Sequence, residues 1–301
     1  MNIRDLQYLV AVYELQSFSK AADRCYVSQP TLSGQLKKLE EGLGVTLIER
    51  STRRVLFTPV GEKVVEQARH VLSTVEQIKT LAREDDDPMA GDFHIGLIPT
   101  IGPFLLPEII PDLSVNYPDL KLFLYELQTA TLIDKLARGE LDAAILARLD
   151  WDYPIQEIPL YQEQFKLAVS TTDPLARLPG PVPLSALDGR SVLMLEDGHC
   201  LRDQALGVCF SAGATEDNRF QATSMSTLLQ MVAIGAGITL IPELASKKPV
   251  SGVSYLSFAE PAPSREVILA SRRSNVRELT VSGVATQISA TVAAAQGVSK
   301  A

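Results

Sequence analysis

The stretch from Pro59 to Arg83 constrains this chain more than any other. Val64, Ala68, Val71, Val75, Ile78 and Ala82 recur at alternating spacings of four and three, the apolar seam of one long helix with charged flanks. A lone helix has no core, so its stripe must be covered either by the rest of the chain or by the same helix of a second copy. We expect the second copy. The run Glu84-Asp85-Asp86-Asp87-Pro88 that follows reads as a solvated hinge. Three segments result: residues 1–58 ahead of the helix, the linking and dimerising helix with its hinge at 59–87, and a body at 88–301.

The first segment packs helical signals closely. Asp5 to Leu15 places Leu6, Leu9, Val10 and Tyr13 at helical spacing, and Ser17 caps a second helix whose small face is Phe18, Ala21 and Ala22. Ser28 caps a third helix, Gln29 to about Leu43, with Pro30 in its first turn, where a missing N–H costs nothing. Leu32, Leu36, Leu39 and Leu43 form its apolar stripe. Two short helices and a tight turn, the second helix polar and rich in Gln, Thr, Ser and Lys, make a helix-turn-helix. Gln29, Thr31, Ser33 and Gln35 are the candidates for base edges, and Lys37, Lys38, Arg50, Arg53 and Arg54 for phosphates. The last three flank or form the tip of a two-stranded wing expected between Gly44 and Thr58. Charge agrees: residues 1–58 carry eight Lys/Arg against six Asp/Glu, whereas the whole chain is at −8. A slightly basic module on an acidic body touches nucleic acid with one end only.

Beyond Pro88 short apolar strands alternate with helices. Strands are expected at Phe93–Ile98, Leu120–Tyr125, Ala143–Leu146, Lys166–Ser170, Ser191–Leu195, Ile238–Ile241 and Val267–Ala270, with helices such as Phe104–Tyr117, Thr131–Arg138 and Met225–Gly235 between them. This is an α/β body with a mixed, largely parallel sheet. Its length suggests subdomain I at about 88–163 and 267–301, subdomain II at about 164–266, and a crevice at the strand ends where ligands bind.

Two cysteines, Cys200 and Cys209, lie nine positions apart on a stretch that otherwise reads as helix. Nine helical residues rise about 13.5 Å, roughly twice the span of a disulfide. The pair is therefore either two unrelated core thiols or a redox switch whose bond forces local refolding. Asp197 is a plausible N-cap, which puts Cys200 in the first helical turn, where free N–H groups favour a thiolate. His199 and Arg202 add donors or positive charge; Glu196 and Asp197 oppose them. Cys209 falls beside the stripe Leu201, Ala205, Val208 and Ala212, and is expected to be buried and inert. Cys25 reads as a small half-buried thiol, and His94 and His70 as structural. With no long apolar leader or membrane-spanning run, and too few cysteines for a disulfide scaffold, the chain is expected to be cytoplasmic. No metal-ligand cluster or phosphate-binding glycine loop stands out, so no cofactor is expected.

The segments Phe18-Ser19-Lys20-Ala21-Ala22, Val27-Ser28-Gln29-Pro30-Thr31-Leu32-Ser33 and Leu39-Glu40-Glu41-Gly42-Leu43-Gly44-Val45-Thr46-Leu47-Ile48-Glu49-Arg50 resemble the winged helix-turn-helix signature of LysR-type transcriptional regulators. Thr58-Pro59-Val60-Gly61 matches the start of that family's linker helix. The resemblance runs the length of the chain and implies a periplasmic-binding-protein-like effector domain, a homotetramer built as a dimer of dimers, promoter DNA as partner, and the Gln29-Pro30-Thr31 helix start as reader. Gly198-His199-Cys200-Leu201-Arg202-Asp203-Gln204-Ala205, with Cys209, resembles the hydrogen-peroxide-sensing branch. That implies attack on peroxide by Cys200 to give a sulfenic acid and resolution by Cys209 as a disulfide once the helix between them melts. It also implies a peroxide pocket of Thr100, Thr129 and His199, and contacts to RNA polymerase through Asp142 and Arg272. Two other readings stay open: a metabolite site in the crevice with incidental thiols, and a thiol peroxidase tethered to DNA. The missing Cys-x-x-Cys reductant motif weighs against the enzyme.

Overall fold

The structure, a computed structural model, describes residues 1–50, 55–81, 87–149 and 153–295. Arg53 and Arg54, Ala82 and the acidic residues 84–86 of the expected hinge lie outside the described residues, as does the side chain of Arg50. The chain divides into two compact units, Met1–Asp86 with Arg138–Glu140, and Asp87–Ala137 with Leu141–Ala301.

In the N-terminal unit, helices α1 (Ile3–Leu15), α2 (Phe18–Arg24) and α3 (Gln29–Leu43) precede the strands β1 (Ile48–Arg50) and β2 (Val55–Phe57) and the long helix α4 (Pro59–Leu81). Each start is chemically specified. Asn2 and Asp5 close a reciprocal capping box on α1, Ser17 caps α2 by accepting from the Lys20 amide, and Ser28 caps α3 by accepting from the Thr31 amide. Leu6, Leu9, Leu32, Leu36 and Leu39 are buried together, while Leu43, the last of its expected stripe, is 40% exposed. The wing is antiparallel, Glu49 opposite Leu56. Glu40 fastens it to α3 by accepting from the amides of Leu47 (2.8 Å) and Ile48 (3.1 Å). Gly61 explains the Thr-Pro-Val-Gly sequence: a Cβ there would lie 2.1 Å from the Leu47 carbonyl oxygen, and only glycine lets the first turn of α4 pack this close to the wing.

The long helix differs from the expected seam. Val65 and Ala68 are buried in the unit's own core, whereas Val71 and Ile78 are 45% and 61% exposed. Its first turns thus pack on the unit itself, and the apolar stripe is uncovered only farther along.

The second unit continues with β3 (Gly91–Leu97), α5 (Gly102–Asn116), β4 (Leu120–Glu126), α6 (Thr129–Ala137), β5 (Ala143–Ala147) and the sixteen-residue β6 (Ile155–Ser170). Then follow β7 (Ser191–Leu195), α7 (Cys200–Ser211), β8 (Thr215–Ala222), α8 (Met225–Ala233), β9 (Thr239–Pro242), α9 (Glu243–Ser246), β10 (Val253–Ser257), β11 (Ser264–Arg272) and α10 (Glu278–Ala295). The α/β class is as expected, but the sheet is not largely parallel. Among the strands of the described residues, β3 with β4, β3 with β5, and β7 with β8 run parallel; β11 pairs antiparallel with β5 and β6, and β6 with β9 and β10. Short apolar runs read alike in either direction, so periodicity alone could not separate the two. The strand order is β10-β6-β11-β5-β3-β4, with β9 also on β6.

Strand β6 passes between two hydrophobic cores. Leu160 belongs to the first, with β3, β5, β11, α5, α6 and α10; Phe165, Leu167 and Val169 belong to the second, with β7, β9 and α8. Among the described residues no helix is long and apolar enough to cross a membrane.

Candidate functional site

Helix α7 begins at Cys200 itself. Its N-cap is His199, in extended backbone and without a side-chain capping bond, so the expected cap at Asp197 is corrected by two positions. Asp197 is instead drawn out to Arg202, Oδ1 to Nε at 2.8 Å. The turn ahead of the helix requires glycine: Gly198 has φ +93°, and a Cβ there would sit 2.9 Å from Oε1 of Gln128, the residue before Thr129. This close approach brings the start of α7 against the start of α6.

Both thiols are buried, Cys200 at 4% and Cys209 at 1% exposure, but in different surroundings. Cys209 lies in the second core with Leu201 and Ala205, and burial alone pushes its thiol up to about 12. Cys200 lies in the first core and has polar neighbours. Burial raises it, against the pull of the Arg265 charge, the Thr129 hydroxyl and the Ala147 backbone N–H; Asp203 on its own helix adds to the rise. Burial wins, so the resting group is a thiol despite its place at a helix N-terminus. Three groups nevertheless stand ready to stabilise the anion.

Arg265 organises this corner. Nε donates to Oε2 of Glu163 at 2.9 Å, Nη1 to the Thr100 hydroxyl at 3.1 Å, and Nη2 to the Thr100 carbonyl at 3.1 Å. The ion pair is 1% and 2% exposed. Because the Thr100 oxygen accepts from a permanent cation, its own O–H proton is left to donate elsewhere. The Thr129 hydroxyl is buried and, apart from the sulfur, has no partner. The structure therefore sets Arg265 and Thr129 against Cys200, and Thr100 against Arg265. His199 is buried beside them, and desolvation depresses its basicity more than Glu196 raises it; it is a neutral imidazole, and the positive charge expected of it comes from Arg265.

Arg265 and Glu163 were missed by the sequence reading, although a signal existed. Glu163, Phe165 and Leu167 alternate along β6, and Arg265, Val267 and Leu269 along β11, so each charge is in phase with a core-facing stripe. The two residues are paired across the ladder.

Arg202 fastens α7 in place. It donates to both carboxylate oxygens of Glu216 on β8 and to the Leu195 carbonyl. Next to the site, Gln204 donates to the Arg148 carbonyl at 3.3 Å.

In the N-terminal unit, Gln29, Pro30 and Thr31 at the start of α3 are exposed, Ser33 and Gln35 half-buried, and Lys37 and Lys38 exposed. They form one polar surface. Arg50 ends β1, and Arg53 falls outside the described residues.

The two expected polymerase residues lie close together but are structurally committed. Asp142 accepts from the His94 amide at 2.8 Å and is half-buried. Arg272 is 9% exposed and donates through Nη1 to the carbonyls of Leu136 and Leu141, both at 2.9 Å. Arg272 fixes the α6–β5 connection, and its neighbour Arg273 is exposed. His94 is structural, stacked on Phe123 and bonded to the Tyr125 hydroxyl.

Residues 3–62 match the model of the bacterial regulatory helix-turn-helix proteins of the lysR family, and residues 86–292 that of the LysR substrate binding domain. The chain is 52% identical over 274 residues to the hydrogen peroxide-inducible genes activator of Dickeya chrysanthemi, covering 90% of each. It is 51% identical over 274 residues, again 90% of each, to the DNA-binding transcriptional dual regulator OxyR of Escherichia coli K12. Full-length OxyR from Pseudomonas aeruginosa, solved with a cysteine-to-aspartate substitution, is similar in structure, with a TM-score of 0.77 at 36% identity over 96% of this chain and 94% of that one.

Proposed function

The chain belongs to the LysR family of bacterial helix-turn-helix transcription regulators, among the hydrogen-peroxide-inducible activators, and from that premise we propose that Cys200 and Cys209 are its peroxide switch. The observation that carries the reading is the contrast between the two thiols. Cys200 opens a helix beside Arg265, Thr100 and Thr129, whereas Cys209 sits in the apolar core, where burial raises its thiol.

The chemistry follows from those neighbours. Peroxide enters the corner, the Cys200 sulfur gives up its proton, and the thiolate attacks one oxygen in line with the O–O bond. The Thr100 and Thr129 hydroxyls, with His199, orient the peroxide; Arg265 stabilises charge on sulfur and on the departing oxygen. That oxygen leaves as water once protonated, and Cys200 becomes a sulfenic acid. Attack by the Cys209 sulfur expels a second water. One peroxide is reduced to two waters as two thiols become one disulfide. The helix between them must unwind first, because its geometry forbids the bond.

Around this switch, residues 1–58 bind promoter DNA, with Gln29, Pro30, Thr31, Ser33 and Gln35 in the major groove and Lys37, Arg50 and Arg53 on the backbone. Residues 59–87 pair two copies through the exposed part of the α4 stripe, and two such pairs form a tetramer. Refolding of the 200–210 segment alters the spacing of the readers on DNA and their contact with RNA polymerase, made through Asp142 and Arg272. A reducing cytoplasm resets the bond.

The test is Cys200→Ser in the full chain, with a reporter gene and a promoter-binding assay read together. Lost induction with retained DNA binding supports the switch. Full induction removes Cys200 from it.

A further inference from the structure

The Arg265–Glu163 pair presents a contradiction. A buried guanidinium next to a thiol should ionise it, yet Cys200 remains protonated at rest. Desolvation supplies part of the answer, and the other part is visible in the hydrogen bonds. Glu163 occupies the Nε and Nη2 edge of Arg265, at 2.9 and 2.8 Å, and both side chains are almost completely buried. Its second oxygen accepts from the Leu244 amide at 2.9 Å, at the start of α9, so the carboxylate is held from two sides and cannot swing away. The guanidinium that acts on the Cys200 sulfur thus carries a fixed carboxylate partner of its own.

We propose that Glu163 is a positioning residue of the peroxide reaction: as the fixed, buried counter-ion of Arg265 it sets how readily the Cys200 sulfur reacts. The inference rests on Cys200 being the reactive thiol. It concerns a different residue and a different property, the threshold of the sensor rather than its chemistry. With the carboxylate removed, the buried guanidinium lacks an anion, and the Cys200 sulfur is one that can supply it. The charged and titratable groups that act on that sulfur are Arg265 on β11 and Asp203 on α7, with His199 the next residue at the cap; Glu163 and Tyr161 on β6 face Arg265. Tyr161 feels both members of the pair, but its phenol is buried without a hydrogen-bond partner and is held far above its ordinary range, chiefly by desolvation and by Glu163. The thiol, the more acidic group by nature, responds first.

The experiment measures iodoacetamide alkylation of Cys200 against pH in the full chain, in a Cys25→Ser, Cys209→Ser background, by mass spectrometry of the Cys200 peptide. Glu163→Gln keeps an acceptor oxygen and removes the charge. Its midpoint is expected to fall by about one pH unit or more relative to the parent, with a correspondingly faster reaction at neutral pH. Glu163→Asp retains the charge one methylene farther back and is expected to fall in between. An unchanged or raised midpoint in folded Glu163→Gln protein overturns the proposal. Should that variant not fold, Glu163→Asp decides by the same sign. Alkylation needs no peroxide, so this result is independent of whether the wild-type chain forms its disulfide. A wild-type chain inert to peroxide overturns the switch, whereas an unmoved midpoint overturns only the role of Glu163.

Discussion

Cys200 and Cys209 share one helix but belong to two different hydrophobic cores. The first residue of α7 is embedded with β3, β5 and α6, and the rest of its buried face with β7 and α8. A disulfide between them therefore requires more than a rotated side chain. One sulfur must leave its core, and the helix that separates them must give way.

Removing Cys209 should trap the reaction halfway. In Cys209→Ser protein the Cys200 sulfenic acid has no resolving partner nearby, and dimedone is expected to label Cys200 after one equivalent of peroxide, with no intrachain disulfide. Wild-type protein should show little labelling. Equal labelling of the two would mean that Cys209 does not resolve.

The Arg202–Glu216 pair opposes refolding, because both side chains are exposed over only about a tenth of their surface and their bonds exist only while α7 is formed. Glu216→Gln weakens a charge-assisted contact, a loss of about 1.5 kcal/mol, or roughly tenfold. Titration against a thiol–disulfide buffer should find the oxidised form favoured by that factor. A shift toward the reduced form would contradict the latch.

Thr129→Val replaces a hydroxyl by a methyl of nearly the same shape beside the Cys200 sulfur. Loss of one donor to the developing anion is expected to slow peroxide oxidation roughly 10²-fold, measured by rapid mixing and thiol titration, with thermal stability almost unchanged. A normal rate would make Thr129 a mere helix start.

Acid should loosen this corner through His199. Burial lowers its basicity in the folded state, so the unfolded chain binds the proton more readily. The stabilisation is complete above the ordinary histidine value, near pH 6.5, and is lost as pH falls below it. His199→Asn is expected to flatten the denaturant-midpoint profile between pH 7 and 5. An unaltered slope would show that the ring is not held neutral.

The reader and the two cysteines were legible in sequence because their signals are local: Ser17 and Ser28 precede helices they cap, and nine residues of helix fix a distance. Arg265 and Glu163 were not, because 102 positions separate them and only the β6–β11 pairing makes them neighbours. A charged residue within or beside a strand looks solvated until the partner strand is known. The cap illustrates the limit at short range. Asp197 is the better capping residue by type, but its carboxylate is taken by Arg202, and the backbone begins the helix two residues later. The strand directions failed for another reason, since apolar runs carry no mark of orientation.

The switch turns on one bond, and peptide mapping of the full chain before and after stoichiometric peroxide tests it most directly. The reduced protein should show free Cys200 and Cys209. The oxidised protein should weigh two hydrogens less and yield a single cross-linked peptide joining those residues, reversible by dithiothreitol, with Cys25 unmodified. Oxidised Cys200 carrying extra oxygen and no link to Cys209, or a bond involving Cys25, would contradict the switch described here.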